Sequence, residues 1–222
     1  MRTWLLAAAE RRELEGFLKR CGGASPIAWL GAKFAAEAMC KGARWWMVAN
    51  GAGPRRVRQM LLEQRHEVTG IISTGYCGAL DPALQAGDIV VWGDAALDTA
   101  RPFVRGLIHS EDRVAVTAAD KHLLRQHTGA IAVEMESAAV RDIAVEWQAP
   151  FTCIRVVSDT AASDLPLDFN RYRTPSGDFA RTRIALAAMA RPFTALPRLI
   201  EFNRQCRMAS EALGEFLANC RF

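Results

Sequence analysis

Short apolar runs alternate along the chain with stretches in which apolar residues recur every three or four positions. The runs predict strands at 3–8, 26–30, 44–49, 69–74, 88–92, 130–133 and 151–157. The periodic stretches predict helices at 10–20, 54–64, 118–126, 136–147 and 177–190. Several runs are apolar at consecutive positions, as suits strands covered by helices on both faces. The first helix carries Leu14, Phe17 and Leu18 on one side, and the fourth carries Met135, Ala139, Ile143 and Trp147 at steps of four. Thr117 and Asp120 have the spacing of a capping box ahead of the third. Residues 163–175, rich in Asp, Pro and Arg, read as a loop. After Pro197 a long amphipathic helix is expected, with Leu199, Cys206, Ala209, Leu213, Phe216, Leu217 and Cys220 on one stripe. Arg and Glu both line its polar face, which favours packing on the domain or a second subunit over a membrane surface. The alternation as a whole is that of an α/β domain.

Composition narrows the class. Of 222 residues 50% are hydrophobic and 23% charged, enough to build a core and too apolar for a disordered chain. Apolar runs such as 45–49 fall far short of the roughly 20 residues of a spanning helix. The net charge of +4 comes from 28 basic and 24 acidic residues mixed along the chain, so no nucleic-acid partner is expected. The basic residues are mostly Arg, a side chain suited to phosphate. The cysteines at 21, 40, 77, 153, 206 and 220 form no Cys-x-x-Cys pair and have no His at ligand spacing, so no metal site is expected. The apolar start of the chain meets Glu10-Arg11-Arg12-Glu13 too soon for a signal peptide. It reads as a buried first strand, and a cytoplasmic location with reduced thiols is expected.

Open α/β sheets gather function at the carboxyl ends of their strands. Four such places carry candidate chemistry. Asn50-Gly51-Ala52-Gly53-Pro54 is either a tight turn with Pro54 at the first helical position or a ligand-facing glycine loop. It is not a dinucleotide fingerprint, because Arg56 stands at the third glycine position. Ser73-Thr74-Gly75-Tyr76-Cys77-Gly78 places two glycines close together, as a bulge or as backbone pressed against a ligand. Glu134-Met135-Glu136-Ser137 puts two acids at a helix start, either for the helix dipole or to grip sugar hydroxyls. Ser158-Asp159-Thr160 ends a strand buried on both faces, either as a helix cap or with a general acid in the crevice.

Together these segments resemble the nucleoside phosphorylase and nucleosidase superfamily over roughly residues 3–170. The likeness lies in Gly70–Leu80 followed by Gly87–Val91, in Ala132–Ala139, and in Arg155–Ala161. Within it the chain is most similar to the methylthioadenosine/S-adenosylhomocysteine nucleosidases. It also resembles the hopanoid-associated phosphorylases, which act on an adenosylated lipid.

The resemblance implies a single three-layer α/β/α domain with a central mixed sheet over 1–195, and a C-terminal helical extension at 196–222. It implies cleavage of the bond between a purine and ribose, without a cofactor. Asp159 would protonate the departing base, oriented by Ser158. Glu136, beside Glu134, would hold the ribose hydroxyls, with Met135 packed on the sugar. Glu13 would orient the nucleophilic water, with Glu10 as the fallback. Gly75 and Tyr76 would border the nucleophile. Ser73 stands where the phosphorylases carry a phosphate-binding Arg, which favours water; Arg11 and Arg12 are the residues left for phosphate. Val114 stands where the nucleosidases stack an aromatic on the base. The expected partners are a small nucleoside, with phosphate as an alternative co-substrate, and a second copy of the chain. A membrane partner is not expected unless the substrate is itself a lipid.

Overall fold

The computed structural model describes residues 1–62, 65–93, 95–174 and 178–222. In chain order the elements are β1 (Thr3–Ala8), α1 (Arg11–Leu18), β2 (Ala24–Pro26), β3 (Phe34–Cys40), β4 (Ala43–Ala49), α2 (Pro54–Leu62) and β5 (Gly70–Ala79). Then come β6 (Ile89–Gly93), β7 (Val104–Arg105), β8 (Ile108–Ser110), α3 (Ala118–Thr128), β9 (Ala132–Glu134), α4 (Ser137–Trp147) and β10 (Phe151–Asp159). A 3₁₀ turn (Phe169–Tyr172), α5 (Arg181–Met189) and α6 (Ala195–Asn219) close the chain.

The sheet is mixed, in the order β2-β3-β4-β1-β5-β10-β6-β7. Its centre is parallel: β1 lies between β4 and β5, and β10 follows β5. The next neighbour, β6, runs antiparallel to β10. The ends of β4, β1, β5 and β10 therefore emerge together on one edge, which brings the candidate segments into one crevice. Alternation along β1 sorts its residues between two cores. Leu6 and Ala8 face Leu14 and Phe17 of α1 and Leu213 and Phe216 of α6. Leu5 and Ala7 face Val57 and Met60 of α2 and Val140 and Ile143 of α4. The result is the three-layer α/β/α arrangement, with α6 continuous with the main core.

The differences from the predicted elements have local causes. Strand 26–30 is observed only as Ala24–Pro26. Pro26 has no N–H for the ladder, and the chain beyond it turns inward so that the Trp29 indole donates to the Met60 carbonyl at 3.0 Å. The unpredicted β3 forms a hairpin with β4 through Lys41 and Gly42, both at positive φ (48° and 76°), as a primed two-residue turn requires. Strand 69–74 extends to Ala79, bending through Gly75 at φ 135° so that its end pairs with β9. The predicted ends at 63–64 of the second helix, at 177 of the fifth, and at 175 of the loop lie outside the described residues; the fifth helix is observed from Arg181.

The nucleophile side depends on how α1 is held. Helices α1 and α6 cross at backbone contact. A Cβ on Gly214 would overlap the backbone of Gly16 and Phe17, and one on Gly16 would overlap the Ser210 carbonyl. The Ser210 hydroxyl donates to the Arg12 carbonyl at 2.8 Å across this crossing. Gly214→Val must therefore force the helices apart. A loss of at least about 2 kcal/mol in urea denaturation is expected; an unchanged midpoint would show that the crossing tolerates a side chain.

Candidate active site

The crevice holds a cavity of about 360 Å³. One end is lined by charged groups from the strand ends, including Glu13, Glu136 and Asp159. The other is lined by Leu165, Phe169, Phe179, Ile184, Leu199 and Phe202.

At the charged end the organising group is Arg155, 1% exposed, in the middle of β10. Its guanidinium pairs with Glu134, donates to the Ser73 hydroxyl at 2.8 Å, and lies 3.4 Å from Glu136. Burial pulls its pKa down, but Glu134, Glu136 and Glu13 together hold it above its ordinary value. Glu134 also accepts from the Ser137 hydroxyl at 2.6 Å and from the backbone N–H groups of Glu136 and Ser137. It thus fixes the start of α4 and is almost wholly occupied with protein partners. Ser73 is fully buried behind Arg155, away from the cavity wall.

Glu136 is free to face the cavity. One oxygen accepts from the Gly53 N–H at 2.7 Å, so the glycine loop after β4 positions this carboxyl. Pro54 begins α2 immediately afterwards. Burial pushes the Glu136 carboxyl up to about 8, with Arg155 opposing and Glu134 and Glu13 adding to the rise. Met135 lines the cavity beside it.

Glu13 sits in the first turn of α1 and is 5% exposed. It accepts from the Glu10 N–H at 2.8 Å and the Tyr76 N–H at 3.0 Å. Burial raises its pKa despite Arg155 and the Tyr76 N–H. Gly75 makes this approach sterically feasible, since a Cβ there would lie 2.6 Å from a Glu13 oxygen and 2.9 Å from Arg155. Glu10 pairs instead with Arg12 at 2.5 Å and Arg181 at 2.8 Å at the cavity mouth. Arg12 also stacks over the Tyr76 ring, which lines the cavity. Arg11 stacks on Phe34 and is not among the cavity-lining residues.

Asp159, also a cavity-lining residue, ends β10. One of its oxygens accepts from the Ser158 hydroxyl at 2.6 Å and the other from Lys121 at 2.5 Å. Lys121 is fully buried and its ammonium also donates to the carbonyls of Thr160 and Ser163, each at 2.8 Å, so its three protons have three acceptors. Gly78 leaves room for the acid: a Cβ there would lie 3.2 Å from Asp159. Val114 lines the cavity, and its backbone is tied in both directions to the Asn170 side chain.

The structure thus brings Glu13, Tyr76, Glu134, Met135, Glu136, Ser158, Asp159 and Val114 to one cavity, and puts Ser73 and Gly75 in support behind it. The sequence reading does not single out Arg155, Lys121 or the three phenylalanines. Arg155 has a legible signal, a lone charge inside an apolar run. Lys121 has none, because it stands among polar residues of an ordinary helix start.

The raised Glu136 carboxyl has a measurable consequence. A group protonated at about 8 when folded, against 4.5 when free, contributes stability that is full below about pH 4.5. That contribution is lost as pH rises through 8. Stability of the ligand-free protein should therefore fall over this window, by at most roughly 1.4 kcal/mol per pH unit from this group. Glu136→Gln, always neutral, should flatten the decline in denaturant titrations; parallel curves for the two proteins would place the titration elsewhere.

Known proteins resemble this chain in sequence and in fold. Residues 93–189 match the family described as the phosphorylase superfamily. A 5′-methylthioadenosine/S-adenosylhomocysteine nucleosidase of Shewanella sediminis is 27% identical over 156 residues, covering 53% of this chain and 68% of that protein. The nucleosidase of the same name from Neisseria meningitidis, solved with methylthio-immucillin-A, superposes with a TM-score of 0.71 at 19% identity, over 99% of this chain and 98% of that one. A futalosine hydrolase of Helicobacter pylori gives 0.68 at 15% identity, over 98% and 97%. The expected resemblance to the phosphorylase superfamily is thus borne out, by the family match over residues 93–189 and by the similar nucleosidase sequence, while the solved structures share the fold.

Proposed function

We propose that the protein is an enzyme that hydrolyses the N-glycosidic bond of a purine ribonucleoside, with adenine as the base. What supports this reading is that Asp159, Glu136, Met135 and Glu13 all line a single cavity. In the reaction Asp159, which accepts from Ser158 and Lys121 in the ligand-free protein, first takes up a proton from solvent as substrate binds; the C1′–N9 bond then breaks as that proton passes to purine N7, so the base leaves neutral. Ser158 and Lys121 hold the two Asp159 oxygens and aim the group. Glu136 accepts from the ribose hydroxyls, and these bonds strengthen as the sugar gains positive charge. Water attacks C1′ and its proton passes to Glu13, whose raised pKa suits a base that must take one up.

The choice of water over phosphate rests on charge. The nucleophile side is walled by the carboxyls of Glu13, Glu134 and Glu136 around one guanidinium, and Ser73 supplies no cation. A phosphate dianion would find no free cation there among the described residues, because Arg155 is engaged by Glu134, Ser73 and Glu136 and Arg12 is paired with Glu10. The apolar end of the cavity suits a nucleoside with an apolar 5′ substituent. The relatives' names support the adenine nucleoside class.

The test is a panel of adenine nucleosides, 5′-methylthioadenosine among them, incubated with and without phosphate and scored for free base and ribose 1-phosphate. Base release independent of phosphate is expected. Asp159→Asn should lower it by roughly 10²–10⁴-fold with the fold intact, because an amide has no carboxylic proton to give. Accumulating ribose 1-phosphate would replace hydrolysis by phosphorolysis. No base release from any substrate that binds would make the protein a non-catalytic nucleoside binder.

A further inference from the structure

The hairpin of α5 and α6 is apolar on two sides. Its inner side supplies Phe179, Ile184, Leu199 and Phe202 to the cavity. Its outer side exposes Leu186 (61%), Met189 (52%), Phe193 (93%) and Ile200 (61%). A helix apolar all round is normally buried, so the outer side lacks the partner its composition calls for. The turn between the helices is where Phe193 stands, directly after Arg191 and Pro192.

Along the hairpin itself, between Asp178 and Glu201, the charge is of one sign. From 179 to 200 the chain has four arginines and no acid. Arg181 is paired with Glu10. Arg198 donates to the backbone carbonyl of Asp164. Among the described residues, Arg183, Arg191 and Arg198 contact no carboxylate. Reading the polar face of the C-terminal helix as a whole averages over this contrast, because its acids, Glu201, Glu211 and Glu215, all lie further along α6.

We propose that this hairpin tip docks on an anionic lipid surface, with Phe193 and its apolar neighbours entering the interface and Arg183 and Arg191 facing the headgroups. A second copy of the chain fits less well. A twofold interface would set this patch against itself and bring Arg183 and Arg191 of the two copies together without counter-charge. No helix among the described residues is long and apolar enough to cross a membrane, so the contact is one of the surface. The apolar end of the cavity lies on the other side of the same hairpin, which would let an amphipathic ligand pass from the interface to the site. The docking itself does not depend on the proposed reaction.

The test is co-sedimentation of the intact protein with phosphatidylcholine vesicles containing about 30% phosphatidylglycerol, against vesicles of phosphatidylcholine alone. Binding to the anionic vesicles, weakened by high salt, is expected. Phe193→Ser should reduce it about tenfold, and Arg183→Glu with Arg191→Glu should abolish it. These side chains are exposed, so circular dichroism and denaturation midpoints should not change. Equal binding to both vesicle types, or full binding by Phe193→Ser, would overturn the proposal. So would an absence of binding together with a dimer in sedimentation that Phe193→Ser dissociates, which would assign the patch to a second copy.

Discussion

Arg155 sets one buried positive charge against three buried carboxyls, and the rest of the site follows from that imbalance. A guanidinium cannot be deprotonated there, so the cost of burial falls on its partners. Glu134 takes the closest pairing and is used to start α4. Glu136 and Glu13 share what remains of the charge, and burial raises both. Two carboxyls whose pKa values are raised are thereby kept within one cavity, while the third holds the geometry. The acid at the end of β10 is held on the opposite principle. Asp159 has its own cation in Lys121 and its own hydroxyl in Ser158, so it depends little on Arg155.

The backbone makes these arrangements feasible at three glycines. Gly75 lets Glu13 and Arg155 approach each other, Gly53 offers its N–H to Glu136, and Gly78 makes room for Asp159. Each lies on or just after a strand of the parallel centre of the sheet. The two helices that bring the remaining pieces, α1 with Glu13 and α6 with Phe202, are locked to each other through Gly16 and Gly214. The helices that carry Glu13 and Phe202 are thus in direct backbone contact.

Much of this is legible in the sequence, and the reasons are physical. The strands of the parallel centre are runs of large apolar residues, and polar residues that interrupt their carboxyl ends stand out; Asp159 and Glu136 are found this way. The hairpin strand β3 is not legible, because the residues it turns inward are Ala36 and Ala38, which mark no face. Ser73 reads as a site residue and is a support, since strand position does not say which side of the sheet the cavity opens on. Lys121 becomes visible only when α3 is folded against the turn at 160–163, a contact between residues about forty positions apart. The basic, exposed tip of α5–α6 is hidden in the sequence by the acids that follow it in the same helix.

The claim on which the account rests is that Arg155 and Glu134 are one interacting unit. It is tested most directly by a double-mutant cycle of Arg155→Met, Glu134→Gln and the pair together, read as unfolding free energies in urea at neutral pH. Each single change leaves a buried polar group without its partner and should cost roughly 3–5 kcal/mol. The double variant should recover part of that loss, giving a coupling of at least about 2 kcal/mol. Additive losses would mean that the two groups do not depend on each other, and would contradict the account.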